Sequence, residues 1–586
     1  LRMNWNAGIA QDPFNDCGAY FGSQFVHKSS DCGQSWQIIS PDLTTDDEEK
    51  QNTGKSGGLT IDDTQAEKYT TILSIAPSPV DANVIWVGTD DGNLQLTRDG
   101  GETWTNLANR LSGVRAGAWI PQINVSDKDA GVAYVSVNDY RRNDWKPYAY
   151  ITRDYGQTWK RVAREGQVEG HVYSLLPDPV EPNLLYLGTE NGLYISIDEG
   201  ANWNKWTNGY PSVPTADLKI HPREHDLIIG TFGRAIYILD DIRPLREIAR
   251  TKGAVLDQDF KLFEAPDAFN SNTRSVDGIR FVADAEFRGQ NRRNGAMVTV
   301  WNKPSKKKDK KGMKPSAPAA GPGGGGGFPG FGGFGGGGRG EQAKVHIMDS
   351  AGDTIRSYST RIDTGLTRIY WNMSEDGVRF PSYQDPRPNA STPSGADVLP
   401  GTYKMIVVMG KKKDSTMINV NHDPRSSVKV EALAEKQRIT REYGEKVKLA
   451  TEAMDRLREA QKTVKLVNNQ LGNAPDSIQK MIKKEGKTVT DSIKALQRLY
   501  AFPPGTKGIQ RDPEALNSVL RGAGRYIRAT SGVPGQNTMH TVAWAEKEIA
   551  RVVGIINDFF DTEWKSYQEK VEANQHPIFK EYERIE

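Results

Sequence analysis

The chain offers little of the chemistry from which most enzyme sites are built. Its 586 residues include two cysteines, Cys17 and Cys32, and eight histidines. The histidines are scattered without metal-ligand spacing, no His-Glu-x-x-His occurs, and no phosphate-binding glycine loop occurs. Neither a metal nor a cofactor is expected. Charge of one sign is also missing. Lys and Arg number 76 against 74 Asp and Glu, a formal +2, which gives no general nucleic-acid footprint. No apolar run reaches about 18 residues, so no membrane-spanning helix is expected. The start, Leu-Arg-Met-Asn-Trp-Asn-Ala-Gly, is not a signal peptide and reads as the inside of a strand repeat. The sequence thus reads as a fragment or processed product, long enough for roughly three to four domains.

What is present is a repeated turn. Thr97-Arg98-Asp99-Gly100-Gly101-Glu102-Thr103-Trp104 has the form Ser/Thr-x-Asp-x-Gly-x-x-Trp, and the form recurs at 29–36, 152–159 and 196–203. The starts at 29, 97, 152 and 196 lie 68, 55 and 44 residues apart, a repeat spacing. Each box follows a short apolar run and is expected at a hairpin turn. The carboxylates of Asp31, Asp99, Asp154 and Asp198 would accept backbone N–H bonds within the turn. The glycine would take a positive φ. Trp36, Trp104, Trp159 and Trp203 would each begin the next strand and bury a ring between strands. These aspartates read as structural.

Between boxes one pattern recurs. Ile72-Leu73-Ser74-Ile75-Ala76-Pro77 leads through Asp81-Ala82-Asn83 to Val84-Ile85-Trp86-Val87-Gly88-Thr89, and 172–189 repeats it. Four strands per repeat of about 45 residues predicts the blades of a β-propeller over residues 1–245. Four blades carry a box and a fifth does not. Five could complete a ring, whereas the abrupt start favours a larger ring truncated at its N-terminus. Residues 19–23 and 25–29 read as a hairpin with its tip near Gln24. Cys17 and Cys32 then stand about equally far from the tip, and a disulfide between them fits. The alternative is two unpaired thiols. A disulfide would favour an oxidising compartment.

The boxes resemble the Asp-box (BNR) repeats of sialidases, xyloglucanases and sortilin-type receptors. The closing segment Gly230-Thr231-Phe232-Gly233-Arg234-Ala235-Ile236-Tyr237-Ile238-Leu239-Asp240-Asp241 is similar to the propeller end of large bacterial extracytoplasmic proteins. These are described as BNR-repeat or sortilin N-terminal-like, and sometimes as glycosyl hydrolases. The resemblance covers the first 245 residues. It implies a propeller and an extracytoplasmic location, periplasmic, cell-surface or secreted. It implies activity only weakly, because such boxes recur in catalytic and non-catalytic propellers.

Residues 246–425 change character. Short strands are expected at 260–263, 279–282 and 297–301, and more at 344–353, 365–373 and 399–408. The order of turn and strand motifs resembles Ig-like β-sandwich domains of flagellar hook-capping type. A Lys- and Gly-rich tract at 303–342 interrupts the sandwich and reads as a disordered insertion. From 429 to 586 apolar residues recur at helical spacing. Ile439, Tyr443, Val447, Ala450, Met454, Leu457, Val464 and Leu471 line one face, with breaks near Pro475, 502–505 and 532–535. Four antiparallel helices in a bundle are predicted.

Catalytic constellations are scarce. If the cysteines pair, no thiol nucleophile remains. A sialidase needs an arginine cluster, and Arg110, Arg115 and Arg234 are available, but nothing in the sequence converges them. A glycosidase needs two carboxylates about 5–10 Å apart. Asp90, Asp91, Glu190, Asp240 and Asp241 read as occupying comparable blade positions, where two could meet across the ring. Their other reading is as turn caps. A binding surface has more support. Residues 138–148 read as an unusually long loop joining the second and third strands of the third blade. It carries Tyr140, Arg141, Arg142, Trp145 and Tyr148, the mixture of aromatics and arginine that recognition surfaces use. The alternative is an excursion packed on the next blade. Arg234 would face an axial channel or bridge the first and last blades. The expectation is a non-catalytic binding or scaffold protein recognising a protein or glycan at the cell surface. The alternatives are an Asp-box glycoside hydrolase and a structural subunit of an envelope complex.

Overall fold

The computed structural model describes residues 1–51, 66–271, 292–304, 340–388, 390–508, 512–574 and 584. The strand expected at 279–282 and the Lys/Gly tract from 306 to 338 lie outside the described residues. The chain divides into two compact units, Leu1–Gln258 and Asp259–Glu586.

The first unit is a run of five antiparallel sheets, each a meander in chain order. The first holds Ile9–Gln11, Ala19–Gly22, Val26–Ser29 and Gln37–Ile38; the second holds Ile72–Pro77, Ile85–Thr89, Leu94–Thr97 and Thr105–Asn106. The third holds Trp119–Val125, Ala133–Asp139, Asp144–Thr152 and Lys160–Arg161. The fourth holds Val172–Pro177, Leu185–Thr189, Gly192–Ser196 and Asn204–Lys205. The fifth has three strands, Thr215–Ile220, Leu227–Thr231 and Ile236–Leu239. This is a β-propeller-type fold.

Successive sheets share cores, and the period-two pleat explains how. Ile85 and Val87 pack with Tyr20 and Val26 of the first sheet, while Trp86 between them packs with Val135 and Tyr150 of the third. Tyr134 and Ile151 then meet Leu175, Leu187 and Trp203 of the fourth. Strands buried on both faces read as continuous apolar runs, which is the Val84–Val87 pattern.

All four boxes join a third strand to a fourth and use one bonding scheme. The hydroxyl of the first residue donates to the aspartate Oδ1 at 2.8 Å for Ser29–Asp31, 2.7 Å for Thr97–Asp99, 2.9 Å for Thr152–Asp154 and 2.8 Å for Ser196–Asp198. The same Oδ1 accepts the backbone N–H of Ser35, Thr103, Thr158 or Asn202, each at 2.9 Å. These bonds favour the ionised carboxylate: Asp31 and Asp99 are lowered to about 2. The turn needs two successive left-handed residues. Cys32, Gly100, Tyr155 and Glu199 have φ of 60, 75, 57 and 57°, followed by Gly33, Gly101, Gly156 and Gly200 at 83, 111, 73 and 75°.

The tryptophans behave less uniformly than the sequence predicts. Trp104 packs with Ile39 and Tyr20 of the preceding sheet, Trp159 meets Trp86 edge-on at 6.0 Å, and Trp203 is buried among third-sheet residues. Trp36 is 45% exposed. The other three rings pack on the sheet before their own; among the described residues Trp36 meets the ring of Phe21, in its own sheet, edge-on at 6.3 Å. Cys17 and Cys32 form a disulfide with Cα atoms 4.3 Å apart. The hairpin register pairs Ala19 with Ser29, so Cys32 sits one residue beyond the position opposite Cys17; its left-handed backbone brings it back.

The first unit continues past residue 245. The helix Arg243–Arg250 is anchored by Arg246, whose buried Nε donates to both carboxylate oxygens of Asp178 at 2.9 Å.

In the second unit, a three-stranded sheet (Phe260–Leu262, Ala296–Asn302, Gly365–Trp371) and a five-stranded sheet share one apolar core containing Val298, Val345, Trp371, Met405 and Ile418. The five-stranded sheet includes Glu341–Met348, so Glu341 and Gln342 are strand residues. The helices Val430–Gln470, Asp476–Arg498, Leu516–Ala529 and Gln536–Phe559 share a second core, which the eight residues of the first helical stripe help to form. Val378, Phe380 and Tyr383, from the segment between the sheets, pack against that core. Tyr383 donates to the Ala501 carbonyl at 2.9 Å and Arg379 pairs with Asp455.

Candidate functional site

Antiparallel meanders alternate the ends at which their turns fall. The boxes, after third strands, occupy one face of the propeller unit. The turns between second and third strands occupy the other, and most candidate residues collect there. Asp90 and Asp91 follow the strand Ile85–Thr89, Glu190 follows Leu185–Thr189, and Arg234 lies between Leu227–Thr231 and Ile236–Leu239. Asp240 and Asp241 do not join them. They follow a third strand, at the position boxes occupy elsewhere, and therefore lie on the opposite face. The Asp241 N–H donates to Asp226 Oδ1 at 2.8 Å and its carboxylate pairs with Arg243 at 2.6 Å. The expectation that all five carboxylates share a blade position is corrected accordingly.

The three carboxylates that do share this face are engaged. Asp90 is buried, accepting the Thr71 N–H and hydroxyl, each at 2.8 Å. Burial, reinforced by neighbouring Asp91, raises it to about 7. Asp91 accepts the Thr45 N–H and hydroxyl at 2.7 Å on one oxygen and Thr89 Oγ1 on the other. Glu190 accepts the Tyr173 hydroxyl at 2.7 Å. A buried, fully bonded carboxylate has no route to a substrate oxygen, so Asp90 and Asp91 act as braces for the connectors that precede their sheet.

The stretch 138–148 differs from its sequence reading. Asn138 and Asp139 still belong to the second strand, and the third begins at Asp144, paired with Asp139. The turn proper is the 3-10 segment Tyr140–Arg142 closed by Asn143 at φ 60°. The hairpin is thus long in its strands and short in its loop, which makes it a stiff projection. Tyr148 is buried, donating to Asp144 at 2.9 Å, and belongs to the hairpin's support.

The projection carries a stacked platform. The Tyr140 ring stacks on His171 at 4.4 Å and 23°, and Trp145 meets His171 edge-on at 5.6 Å. Tyr173 closes the other side of the imidazole at 4.6 Å. The Arg141 guanidinium lies 3.3 Å from the Trp119 ring centre and 4.5 Å from that of Tyr140. Trp145 itself is 51% exposed. His171 is 1% exposed with both ring nitrogens unpartnered, and Glu190 Oε2 stands 3.8 Å away. Burial lowers its pKa to about 4, so it is neutral and packs as an aromatic ring.

Two clefts flank the platform. One of about 420 Å³ lies beneath the second-sheet turn, lined by Asp91, Asn93, Asn109, Arg115 and Gly117. Another of about 290 Å³ lies beside Trp145, Lys146 and Glu165. Arg115 and Arg142 converge on Asp139, a meeting that sequence spacing does not show. Arg234 is exposed on its turn, with no ion pair among the described residues. His171, Tyr173 and Trp119 lie outside the stretch that the sequence marks, and Asp139 lies within it with no role of its own. The available signal was an aromatic or imidazole ring at the start of an inner strand. Among the described residues, no group of three His, Cys, Asp or Glu could hold a metal, and no helix is long and apolar enough to cross a membrane.

No family model matches the chain. An oligoxyloglucan-reducing end-specific xyloglucanase of Emericella nidulans is 28% identical over 88 residues, which is 15% of this chain and 10% of that protein. Among solved structures, the GH74 xyloglucanase of Xanthomonas campestris matches 40% of this chain and 36% of its own, at 18% identity and TM-score 0.30. An ancestral GH74 enzyme matches 71% and 47%, at 15% identity and TM-score 0.31. YCF48 bound to D1 peptide matches 42% and 72%, at 15% identity and TM-score 0.28.

Proposed function

We propose that the protein is a non-catalytic glycan-binding protein, acting through the propeller face that carries the Asp139–Tyr148 hairpin. One observation carries this reading. Trp145 presents an exposed ring from a stiff hairpin, braced by Tyr140 and His171 and flanked by two clefts, each with polar groups in its lining. Flat aromatic surface beside a few placed polar groups is how rigid scaffolds hold small polar ligands. Tyr140, Arg141, Arg142 and Trp145 are the contact residues. Arg234 extends the same face.

The runner-up is a glycoside hydrolase of Asp-box type, favoured by the 88-residue stretch that is 28% identical to a xyloglucanase. Glu190 is its best remaining acid, since Asp90 and Asp91 are bonded and buried. A glycan panel with calorimetry and a reducing-sugar assay separates the two readings. Binding without turnover is expected, with affinity lost in Trp145→Ala. Turnover that disappears in Glu190→Gln would replace binding with hydrolysis.

The disulfide supports an extracytoplasmic setting, and membership of the BNR or sortilin N-terminal-like proteins is part of the same proposal. So is the division of the second unit into an Ig-like sandwich, which begins at Asp259 and not at 246 and runs to about 425, and a helical bundle at 429–586, which would dock the propeller onto an envelope assembly.

A further inference from the structure

We infer that the glycan carries a carboxylate, and that Arg115 and Arg142 receive it at the mouth of the larger cleft; this rests on the glycan-binding reading. Asp139 supplies the argument. Its side chain is 2% exposed, at the end of the second strand of the third sheet. Oδ1 accepts Arg142 Nε at 2.6 Å, and Oδ2 accepts Arg115 Nε at 3.1 Å and Nη2 at 2.8 Å. Arg115 Nη2 also reaches the Arg142 carbonyl at 3.2 Å. One buried anion therefore orients two guanidiniums, and the group retains a charge of +1.

Both arginines stay open to solvent, at 53% and 39% side-chain exposure. Their bonds to Asp139 use Nε of each and one Nη of Arg115. Arg142 Nη1 and Nη2, and Arg115 Nη1, donate to nothing else among the described residues. Arg142 Nη1 lies 3.5 Å from where a Cβ on Gly117 would stand, and Gly117 and Arg115 line the cleft. The unused N–H groups of Arg142 thus stand next to a residue of the cleft wall, and Arg115 is part of that wall. Two like charges drawn to one carboxylate repel each other. A second carboxylate completes a two-to-two arrangement with charge-assisted bonds. A neutral sugar gains little from that excess charge. Asp91 lines the same cleft, but its oxygens accept donors from Thr45 and Thr89, and among the described residues it pairs with neither guanidinium. The neighbouring Trp145 ring offers a sugar face a stacking partner, which favours an acidic sugar over an acidic peptide.

The test varies the ligand and leaves the intact chain alone. Calorimetry compares a uronic-acid-bearing oligosaccharide, the same oligosaccharide after carboxyl reduction, and an acidic hexapeptide. The acid form is expected to bind roughly tenfold tighter than the reduced form, with an advantage that shrinks as salt rises. In Arg115→Gln/Arg142→Gln that advantage should fall below about twofold. Equal affinity for acid and reduced sugars would overturn the carboxylate inference while leaving glycan binding intact. Binding of neither sugar would overturn both, and tighter binding of the peptide would replace the sugar with an acidic protein segment.

Discussion

The two faces of the propeller unit are built from the same sheets and treat carboxylates in opposite ways. On the box face Asp31, Asp99, Asp154 and Asp198 make the same bonds to the same positions, within a few tenths of an ångström. On the other face the backbone bonds recur, as in Asp90 N–H to Thr71 and Glu190 N–H to His171, but the side chains differ from turn to turn. One carries a pair of bracing aspartates, one an arginine-flanked Asp139, one Glu190 under a tyrosine, and one Arg234. Repetition marks the groups that shape each sheet. Departure from it marks where the molecule can meet something else.

The largest expected effect sharpens the architectural half of that contrast. A Cβ added at Gly156, at φ 73°, would stand 2.6 Å from Leu107 Cδ1 and 3.2 Å from Trp159 and Trp86. Gly156→Ala should cost about 3 kcal/mol or more in denaturant unfolding, and an unchanged midpoint would break the comparison. Next, Cys17→Ser/Cys32→Ser opens a crosslink of sequence separation 15 beside the first box. A loss of about 3 kcal/mol is expected by the same measurement, and little loss would mean that the box holds its hairpin unaided.

The opposite face should respond to pH above about 4.5, where the box aspartates, lowered towards 2, stay ionised. His171 titrates near 4 in the folded chain and near 6.5 when unfolded. Its contribution is fully present above about 6.5 and is lost as pH falls towards 4, because only the unfolded chain then takes the proton. The loss should reach about 2–3 kcal/mol by pH 4. Asp90, raised to about 7, works in the opposite sense over the same range, so the measure is a difference. Between pH 7 and pH 4.5 the unmutated chain should lose about 2–3 kcal/mol more than His171→Phe, and equal changes would refute the assignment. Smaller still is the paired test of Asp154→Ala and Trp145→Ala. The first should cost about 1–2 kcal/mol of stability and leave glycan affinity alone. The second should stay within about 0.5 kcal/mol in stability and abolish binding; a reversed pattern would invert the roles of the two faces.

Much of the fold is legible because it is locally specified. Trp86 flanked by Ile85 and Val87 announces a strand buried on both sides, and the helical stripe from Ile439 to Leu471 announces a long amphipathic helix. The site was legible only as an inventory. Tyr140, Arg141 and Trp145 could be picked from one stretch, yet that stretch reads as a loop because polar and aromatic residues there do not alternate cleanly. Asp240 and Asp241 look equivalent to Asp91 and Glu190 until strand direction places them at the other end of the sheet.

The sequence by itself determined the turns, since a box aspartate needs only neighbours within four residues to satisfy its oxygens. Tertiary structure alone decided that His171 lies beneath Tyr140 and that Arg115 and Arg142 share Asp139. His171 is 31 residues from Tyr140 and meets it because the fourth sheet packs on the third. Arg142 is three residues from Asp139, but Arg115 is 24 away and reaches it only because the strands of the third sheet pair.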